Sequence, residues 1–165
     1  MDSEFSEYLN PRYIVCAMLE SQFIDLDNLI RWSDHFIEMA NTPAEWLFSI
    51  SLGTNYNDVV YSMRMSLIED ELLDENLIDT LFIGLSYLSY KDEKISLTEL
   101  DKKLVGYFVG NKPLFNEDDL SFYFLNLDSN SELIRAINAE FKKAEHISKI
   151  AIQYFYSNSI IDAIK

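Results

Sequence analysis

Hydrophobic residues recur along this chain at the three- and four-residue spacing of amphipathic α-helices, and helix-capping residues separate the hydrophobic stretches. Asn10 and Pro11 are typical of an N-cap and the first residue of a helix, because proline lacks the N–H that has no partner at that position. We therefore expect a first helix from Pro11 to about Ser21. The next hydrophobic stripe indicates a second helix, with Asp25 or Asp27 as its N-cap.

Three further helix starts follow in the first half of the chain. Residues 42–45 have the Thr-x-x-Glu spacing of a capping box, and Gly53 is the expected C-cap of the third helix. Asn57 or Asp58 is the expected start of a fourth helix. A fifth helix is expected to begin at the Asp-Glu pair 74–75, because acidic residues are favourable in the first turn.

The fifth predicted helix is hydrophobic on several sides, so we expect it to be central and buried. Its Gly84 would cost about 1 kcal/mol relative to alanine in an exposed helix, and glycine there indicates the close approach of another helix. Residues 96–99 repeat the capping-box spacing and begin a sixth helix that we expect to end near Phe108. The residues expected to interrupt the helical pattern there are Gly106, Gly110 and Pro113.

The C-terminal part combines an ambiguous segment with a long helix. Residues 114–128 can form either a short helix or an extended segment, and we predict a helix. The Ser-x-x-Glu spacing at 129–132 precedes a near-heptad hydrophobic stripe. That stripe predicts one helix of about 25 residues, which is roughly 37 Å long.

The predicted fold is all-α, with one domain over residues 1–165. About seven helices form either a bundle or a stack of helical hairpins, and the last helix is long. The low content of turn residues supports this fold, because four glycines and three prolines are too few for an all-β sandwich. An apolar content of 48% is enough for a hydrophobic core. No stretch approaches the roughly 18 uninterrupted apolar residues of a membrane span, so we do not expect an integral membrane protein.

The charge of the chain narrows the choice of partner. The 165 residues carry 28 acidic and 13 basic side chains, a net charge of −15. Such a charge disfavours direct binding to nucleic acid or to an anionic membrane, and it favours a basic protein partner. Most of the excess lies in residues 1–90, whose net charge is −13, against −2 for the remainder.

The densest acidic segment is residues 69–75, which we call the acidic turn because the fourth helix should end and the fifth should begin there. Acids at the end of a helix oppose its macrodipole, so helix stability does not explain them. The turn is either a solvated loop that maintains solubility or a docking surface for a basic protein, with Leu72 and Leu73 at its centre. We favour docking for the group. The predicted partner-binding residues are Glu69, Asp70, Glu71, Asp74 and Glu75.

Four aromatic residues are candidate hydrophobic anchors for such a partner, although the same helical spacing is typical of core positions. They are Trp32, Trp46, Tyr56 and Tyr61. The oligomeric state is not indicated by any pattern in the sequence.

Residues for metal binding or catalysis are scarce. The single cysteine, Cys16, cannot form an internal disulfide, and the chain begins with an acidic segment that lacks a hydrophobic signal region, so we expect a cytoplasmic protein. With only His35 and His146 as histidines, we expect no zinc site. Residues 25–36 begin like a calcium loop but place hydrophobic residues at ligand positions, so we reject a calcium site as well. We expect no cofactor.

In its size, acidity and helical pattern the chain resembles the immunity proteins of bacterial polymorphic-toxin and contact-dependent growth inhibition systems. The resemblance extends over the whole chain and includes residues 41–64, NTPAEWLFSISLGTNYNDVVYSMR, which link two predicted helices ahead of the acidic turn. It implies a non-enzymatic protein that binds a sibling toxin domain, often a basic nuclease, and blocks its active site or substrate groove. Opposite charges would then speed association, and a few buried aromatic residues would slow dissociation.

Two other functions are consistent with the sequence. One is a helical adaptor that binds a peptide or a partner helix in an apolar groove, which the many Phe and Tyr residues suggest. The other is a small hydrolase. The chain has no P-loop, no G-x-S-x-G and no H-E-x-x-H motif, so a hydrolase would require a deep pocket of polar groups with perturbed pKa values.

Overall fold

The computed structural model describes residues 10–110 and 131–157, and throughout these ranges the regular structure is helical. The expected all-α fold is therefore confirmed, with seven helices in the described part of the chain. They are α1 (Pro11–Glu20), α2 (Leu26–Met39), α3 (Glu45–Ser51), α4 (Tyr56–Glu69), α5 (Glu75–Lys91), α6 (Leu97–Gly110) and α7 (Ser131–Phe155). The ambiguous segment 114–128 and residues 129–130 of the last predicted cap lie outside the described residues.

Helix α5 is the centre of the fold, as its hydrophobic pattern predicted. Ten of its 17 residues are buried, and it packs against α1, α6 and α7. Helix α1 also packs against α4, while α2 and α3 pack together and α3 contacts α4. Two hydrophobic clusters result. The larger one surrounds α1, and the smaller one joins α5, α6 and α7 around Phe82, Leu104 and Phe141.

Gly84 marks the crossing of α5 and α7, the most extensive helix–helix contact of the described residues. A Cβ atom at Gly84 would lie 2.2 Å from the Ala144 carbonyl oxygen and from Ser148 Oγ. Ser148 Oγ donates a hydrogen bond to the Leu81 carbonyl at 3.2 Å, which further fixes the crossing. The glycine is therefore required for close approach, as the sequence predicted.

Four predicted N-caps are confirmed. The side chains of Asn10, Asp25 and Asp74 each accept a hydrogen bond from a backbone N–H in the first helical turn. At the start of α6 the capping box is complete, because Ser96 Oγ accepts from the Glu99 N–H at 3.2 Å and the Ser96 N–H donates to Glu99 Oε2 at 2.7 Å.

The predicted start and end of the third helix are wrong. Its N-cap is Ala44, which has no side-chain hydrogen bond to offer, and the proposed Thr42 cap lies outside the helix. Ala44 and Trp46 pack against the core, so tertiary contacts fix where α3 begins. The C-cap is Leu52 and not Gly53. A Cβ atom at Gly53 would lie 2.3 Å from Val59 Cγ2, so close packing explains this glycine.

Other predicted boundaries shift by a few residues. Helix α4 begins at Tyr56 with Asn55 as N-cap, because Asn55 Oδ1 accepts from the Asp58 N–H at 3.0 Å; Asp58 is therefore the third helical residue and not the start. Helix α1 ends at Glu20 with Ser21 as its C-cap. Helix α6 continues through Gly106 to Gly110 and does not stop at Phe108, since a single glycine weakens a helix without ending it.

Three helices of the described chain end in the same unusual way. Gln22, Glu71 and Glu93, which follow the C-caps of α1, α4 and α5, have φ angles of 52°, 56° and 57°. At the end of α4, the Glu71 N–H donates to the Ile68 carbonyl at 3.0 Å and the Leu72 N–H to the Leu67 carbonyl at 2.8 Å, which is a Schellman motif. The connectors 21–25, 70–74 and 92–96 therefore share one backbone design.

Candidate functional site

The acidic turn joins α4 to α5, and the structure exposes all five of its predicted partner-binding carboxylates. Glu69 is the last residue of α4 and Glu75 is the first residue of α5, with one of the Schellman connectors between them. The five side chains are therefore grouped in one short segment of fixed backbone conformation.

Three of these five acids also have partners within the chain. Asp70 Oδ2 lies 2.6 Å from Nη1 of Arg12, a residue that is only 6% exposed and that also donates to the Ser66 carbonyl at 3.0 Å. Asp74 caps α5, and Glu75 pairs with Arg64. These contacts tie the turn to α1 and α4, so the three acids have structural as well as surface roles.

Glu69 and Glu71 differ from the other acids of the turn. Their carboxylates make no hydrogen bond or ion pair with any residue in the described ranges, and both residues are exposed. Their negative charges are consequently the least compensated in the acidic turn, so they contribute most to its external field.

The backbone of the acidic turn is held from below by α1. The buried Tyr13 donates its hydroxyl hydrogen bond to the Leu72 carbonyl, and Arg12 bridges the last turn of α4. With Glu71 in the left-handed region, these contacts define one conformation of the connector. A partner would therefore meet a largely pre-organised surface.

The hydrophobic anchors differ from those expected. Leu72 is 46% exposed, but Leu73 packs against the core, so only one of the two central leucines faces solvent. Ile68 and Tyr61, which are 49% and 67% exposed, lie seven residues apart and therefore on one face of α4. Ile68 belonged to the hydrophobic stripe of the sequence, and only packing reveals that it lies on the outer side.

Both tryptophans proposed as anchors are partly buried. Trp32 and Trp46 pack against the larger core cluster, and the Trp32 ring stacks on Phe155 with 4.3 Å between ring centroids. Tyr56 and Tyr61 are exposed and remain candidates for partner contact.

A groove between α4 and α6 is the second candidate site, and no sequence motif predicted it. Its volume is 420 Å³, within the range of ligand-binding pockets. Its walls come from helices that are distant in the sequence. They include Glu20, Tyr61, Arg64, Phe82, Lys103 and Tyr107.

Arg64 is the centre of the charge network beside this groove. Its Nε and Nη2 donate to the two carboxylate oxygens of Glu20, each at 3.0 Å, and its Nη1 donates to Glu75. Burial raises the pKa of Glu20, and Arg64 offsets part of that effect. Burial acts to lower the pKa of Arg64, but Glu20, Glu75 and Tyr107 together raise it well above its ordinary value. The guanidinium therefore stays charged.

Asp79 and Tyr107 form the neighbouring polar contact. The Tyr107 hydroxyl donates to Asp79 Oδ1 at 2.7 Å, and its ring stacks on Phe82 with 3.7 Å between centroids. Burial raises the pKa of Asp79, which is 4% exposed, and the hydrogen bond from Tyr107 offsets part of this shift. Burial, then the charge of Glu20 and the bond to Asp79, raise the pKa of Tyr107, so its hydroxyl remains a donor.

A hydrolase would require a polar pocket, and two carboxyl groups of raised pKa are found here: Glu20 lines the groove, and Asp79 lies behind Tyr107 of its lining. Each of them already accepts hydrogen bonds from a neighbouring side chain, Arg64 or Tyr107. These contacts hold the carboxylates in a network within the protein, an arrangement that favours a binding role for the groove over acid–base chemistry.

The residues considered for metal binding or nucleophilic chemistry lie apart. Cys16 is fully buried, and burial raises the pKa of its thiol to about 12, so the reactive thiolate is suppressed. His35 and His146 are both exposed. In the part of the chain that the structure describes, no group of three or more His, Cys, Asp or Glu side chains could hold a metal ion.

Within the same ranges, no helix has both the length and the apolar character needed to cross a bilayer.

Comparison with known proteins finds no relative for this chain. No protein-family model, curated protein or solved structure matches it. Its function is therefore inferred from the geometry and charge of the acidic turn and the groove.

Proposed function

We propose that this protein is an immunity-type binding protein that neutralises a cognate basic toxin domain, of the nuclease class, by stoichiometric docking of its acidic surface. The observation that carries the proposal is the acidic turn itself, where exposed carboxylates surround the exposed Leu72 and adjoin Ile68. Neutralisation would take place in the cytoplasm, which suits a chain whose one cysteine is a buried free thiol.

The charges of the acidic turn support fast and selective association. Opposite charges on two proteins steer their encounter and can raise the association rate by one or more orders of magnitude at low ionic strength. Glu69 and Glu71, which have no intramolecular partner among the described residues, are best placed to supply this attraction.

The exposed side chains beside these charges support retention of the partner. Leu72 and Ile68 are each about half exposed, so burying the remainder would contribute on the order of 1 kcal/mol per residue. Because Arg12 and Tyr13 hold the turn in place, little conformational freedom would be lost on docking.

The proposal is tested by co-expression with the C-terminal domain of any large secreted protein that is encoded immediately upstream. We expect this chain to restore viability to cells that express a toxic domain and to co-purify with it in a complex that weakens as salt is raised. A toxic neighbour that this chain neither binds nor neutralises would contradict the proposal.

Charge reversal locates the docking surface. Changing all five acids would also break the Asp70 and Glu75 ion pairs and the Asp74 cap, so we choose the double variant Glu69→Lys/Glu71→Lys. We expect its association rate with the toxin domain to fall about tenfold at low salt.

The matched control is Glu38→Lys/Glu93→Lys, which changes the net charge equally. Glu93 has the same left-handed position after α5 that Glu71 has after α4, and both control residues are exposed. The control should associate within about twofold of the wild type at low salt. Equal losses in both variants would show a general charge effect and would remove the acidic turn as the docking surface.

A helical adaptor is the second candidate function, and the aromatic lining of the groove favours it. An adaptor would bind a peptide or a partner helix mainly through apolar contacts. Its complex would be little affected by salt, so the salt dependence of the purified complex separates the two functions.

A further inference from the structure

Gly106 is a glycine that packing within the described chain does not explain. It lies inside α6 and lines the groove, and no described atom comes within 4 Å of the position of a Cβ atom there. Gly84 and Gly53, by contrast, have neighbours at 2.2 and 2.3 Å. Any other residue at position 106 would place side-chain atoms into the groove, so the glycine keeps the groove wide at this point.

Four of the ten described residues that line the groove are aromatic. Tyr61 and Tyr56 are 67% and 43% exposed at the groove, while Phe82 and the ring stacked on it, Tyr107, form deeper parts of the lining. Aromatic rings present flat apolar faces on which another ring can stack or pack edge to face. The groove thus has the shape and chemistry to receive a ring.

The charges beside the groove decide which side chain fits. Glu20, the carboxylate of the described lining, is already paired with Arg64, and Lys103 adds a positive charge, so a cationic side chain would find no free counter-charge in the groove. An anionic side chain would have to approach a protein of net charge −15, and Glu20 lines the same groove. A neutral aromatic ring avoids both costs, and a guanidinium packs favourably against the face of such a ring.

The groove is continuous with the docking surface. Tyr61, Arg64 and Ile68 lie on one face of α4, because Arg64 follows Tyr61 by three residues and Ile68 follows Arg64 by four. This face runs from the groove to the acidic turn, and Arg64 also holds Glu75 of that turn. A protein docked on the turn would therefore cover the mouth of the groove.

We propose that the groove receives one aromatic side chain of the basic partner, stacked on Tyr61 and lying against Gly106 and Arg64. This inference rests on the proposed function for the source of the ring. In this proposal the acidic turn speeds association with the partner by electrostatic attraction. The groove binds the partner's aromatic side chain and thereby slows dissociation.

Binding of a ring to the isolated protein can be measured by two-dimensional NMR. The probe is N-acetyl-tryptophanamide, which is neutral and carries an indole as its only ring system. We expect saturable shifts at Gly106 and Tyr61, with the Gly106 amide shifted by the ring current of the indole. N-acetyl-leucinamide, argininamide and glutamate amide serve as comparison probes. Stronger binding of either charged probe in the groove, or an indole without effect on Gly106, would overturn the proposal.

Two variants complete the test. Gly106→Leu places a side chain into the groove from a position whose Cβ is unobstructed, and it should weaken indole binding at least tenfold while leaving helicity unchanged. Tyr61→Ala should weaken it several-fold, and its matched control is Tyr156→Ala, which removes a tyrosine of similar exposure, 61%, outside the groove. Wild-type binding by a folded Gly106→Leu variant, or equal losses in the two tyrosine variants, would contradict the proposal.

The two proposals fail in different ways. If the chain neutralises its toxin but indole does not bind the groove, only the aromatic anchor is wrong. If indole binds as expected but co-expression gives neither rescue nor a complex, the immunity function is wrong and the groove remains a site for an aromatic ring.

Discussion

Ser86 illustrates how a single buried hydroxyl can reduce stability. It is fully buried on α5, and its Oγ has no hydrogen-bond partner among the described residues. Leaving such a group unsatisfied costs about 1–3 kcal/mol. We expect Ser86→Ala to raise the free energy of unfolding by about 1 kcal/mol in urea denaturation.

Ser148 is the matched control for that substitution. It is equally buried, but its Oγ donates to the Leu81 carbonyl. Ser148→Ala should therefore lower the free energy of unfolding by about 1 kcal/mol. A loss of stability in both variants would mean that the Ser86 hydroxyl has a partner in solution.

Asp79 gives the fold a predictable response to pH. Because burial raises its pKa, ionisation is less favourable in the folded than in the unfolded chain. Below the unfolded pKa of about 4, Asp79 is protonated in both states and the penalty is absent. The penalty grows between that pKa and the elevated folded pKa, and it is constant at higher pH. Asp79→Asn should keep the acceptor for Tyr107 and remove the penalty.

The expected result is a stability gain of Asp79→Asn over the wild type that increases from about pH 4 upwards and then levels off. Urea denaturation between acidic and mildly alkaline pH measures it. The exposed Asp27→Asn, which lies in the first turn of α2, is the control and should show no such rise. A gain for Asp79→Asn that is independent of pH would refute the explanation.

At the scale of helices, Gly84 of α5 and Gly106 of α6 should respond in opposite ways to the same substitution. Gly84→Ala would place a methyl group against the Ala144 carbonyl and force α5 and α7 apart, so we expect a loss of about 2–3 kcal/mol. Gly106→Ala meets no described atom and should raise stability by up to about 1 kcal/mol. Thermal and urea unfolding of the pair measure both effects, and a tolerated Gly84→Ala would disprove the close crossing.

The Schellman connectors lead to a second prediction for helices. A residue other than glycine in the left-handed region is strained by roughly 1 kcal/mol, so Glu93→Gly should stabilise the protein by about that amount. Asp92→Gly is the control one residue earlier, where φ is −81° and glycine has no such advantage. Urea midpoints that move equally for the two variants would contradict this account.

Local signals explain which helix boundaries could be predicted. Asp25, Asp74 and Ser96 act through their own side chains within three residues, so sequence spacing is sufficient to find them. The start of α3 depends on the packing of Trp46 against the core, which spacing does not show. The left-handed backbone conformation at Gln22, Glu71 and Glu93 was not predicted, because none of these positions is a glycine.

At the scale of the whole molecule, the excess negative charge should oppose folding by self-repulsion. Because the net charge is −15, salt should stabilise the fold by screening this repulsion. That gain should exceed the stability lost as the few exposed ion pairs weaken. We expect the free energy of unfolding to rise by about 1 kcal/mol between roughly 0.02 and 0.3 M NaCl. The same salt should weaken the proposed complex with a basic partner. A free energy of unfolding that falls as salt is raised would contradict the self-repulsion argument.

The two candidate surfaces differ in how far the sequence could predict them. The acidic turn is visible because its residues are neighbours in the chain and the connector keeps them together. The groove combines Glu20, Arg64 and Tyr107 from three helices, and only the packing of α4 on α1, and of α1 and α6 on α5, brings them together.

Arg64 makes the acidic turn and the groove energetically dependent on each other. It holds Glu75, which belongs to the turn, and Glu20, which lines the groove, with one guanidinium. A partner that draws Glu75 towards its own cations would change how Arg64 is oriented beside the ring in the groove. Contacts made at the two surfaces would then be cooperative, and the effects of substitutions at the turn and in the groove on affinity would not add.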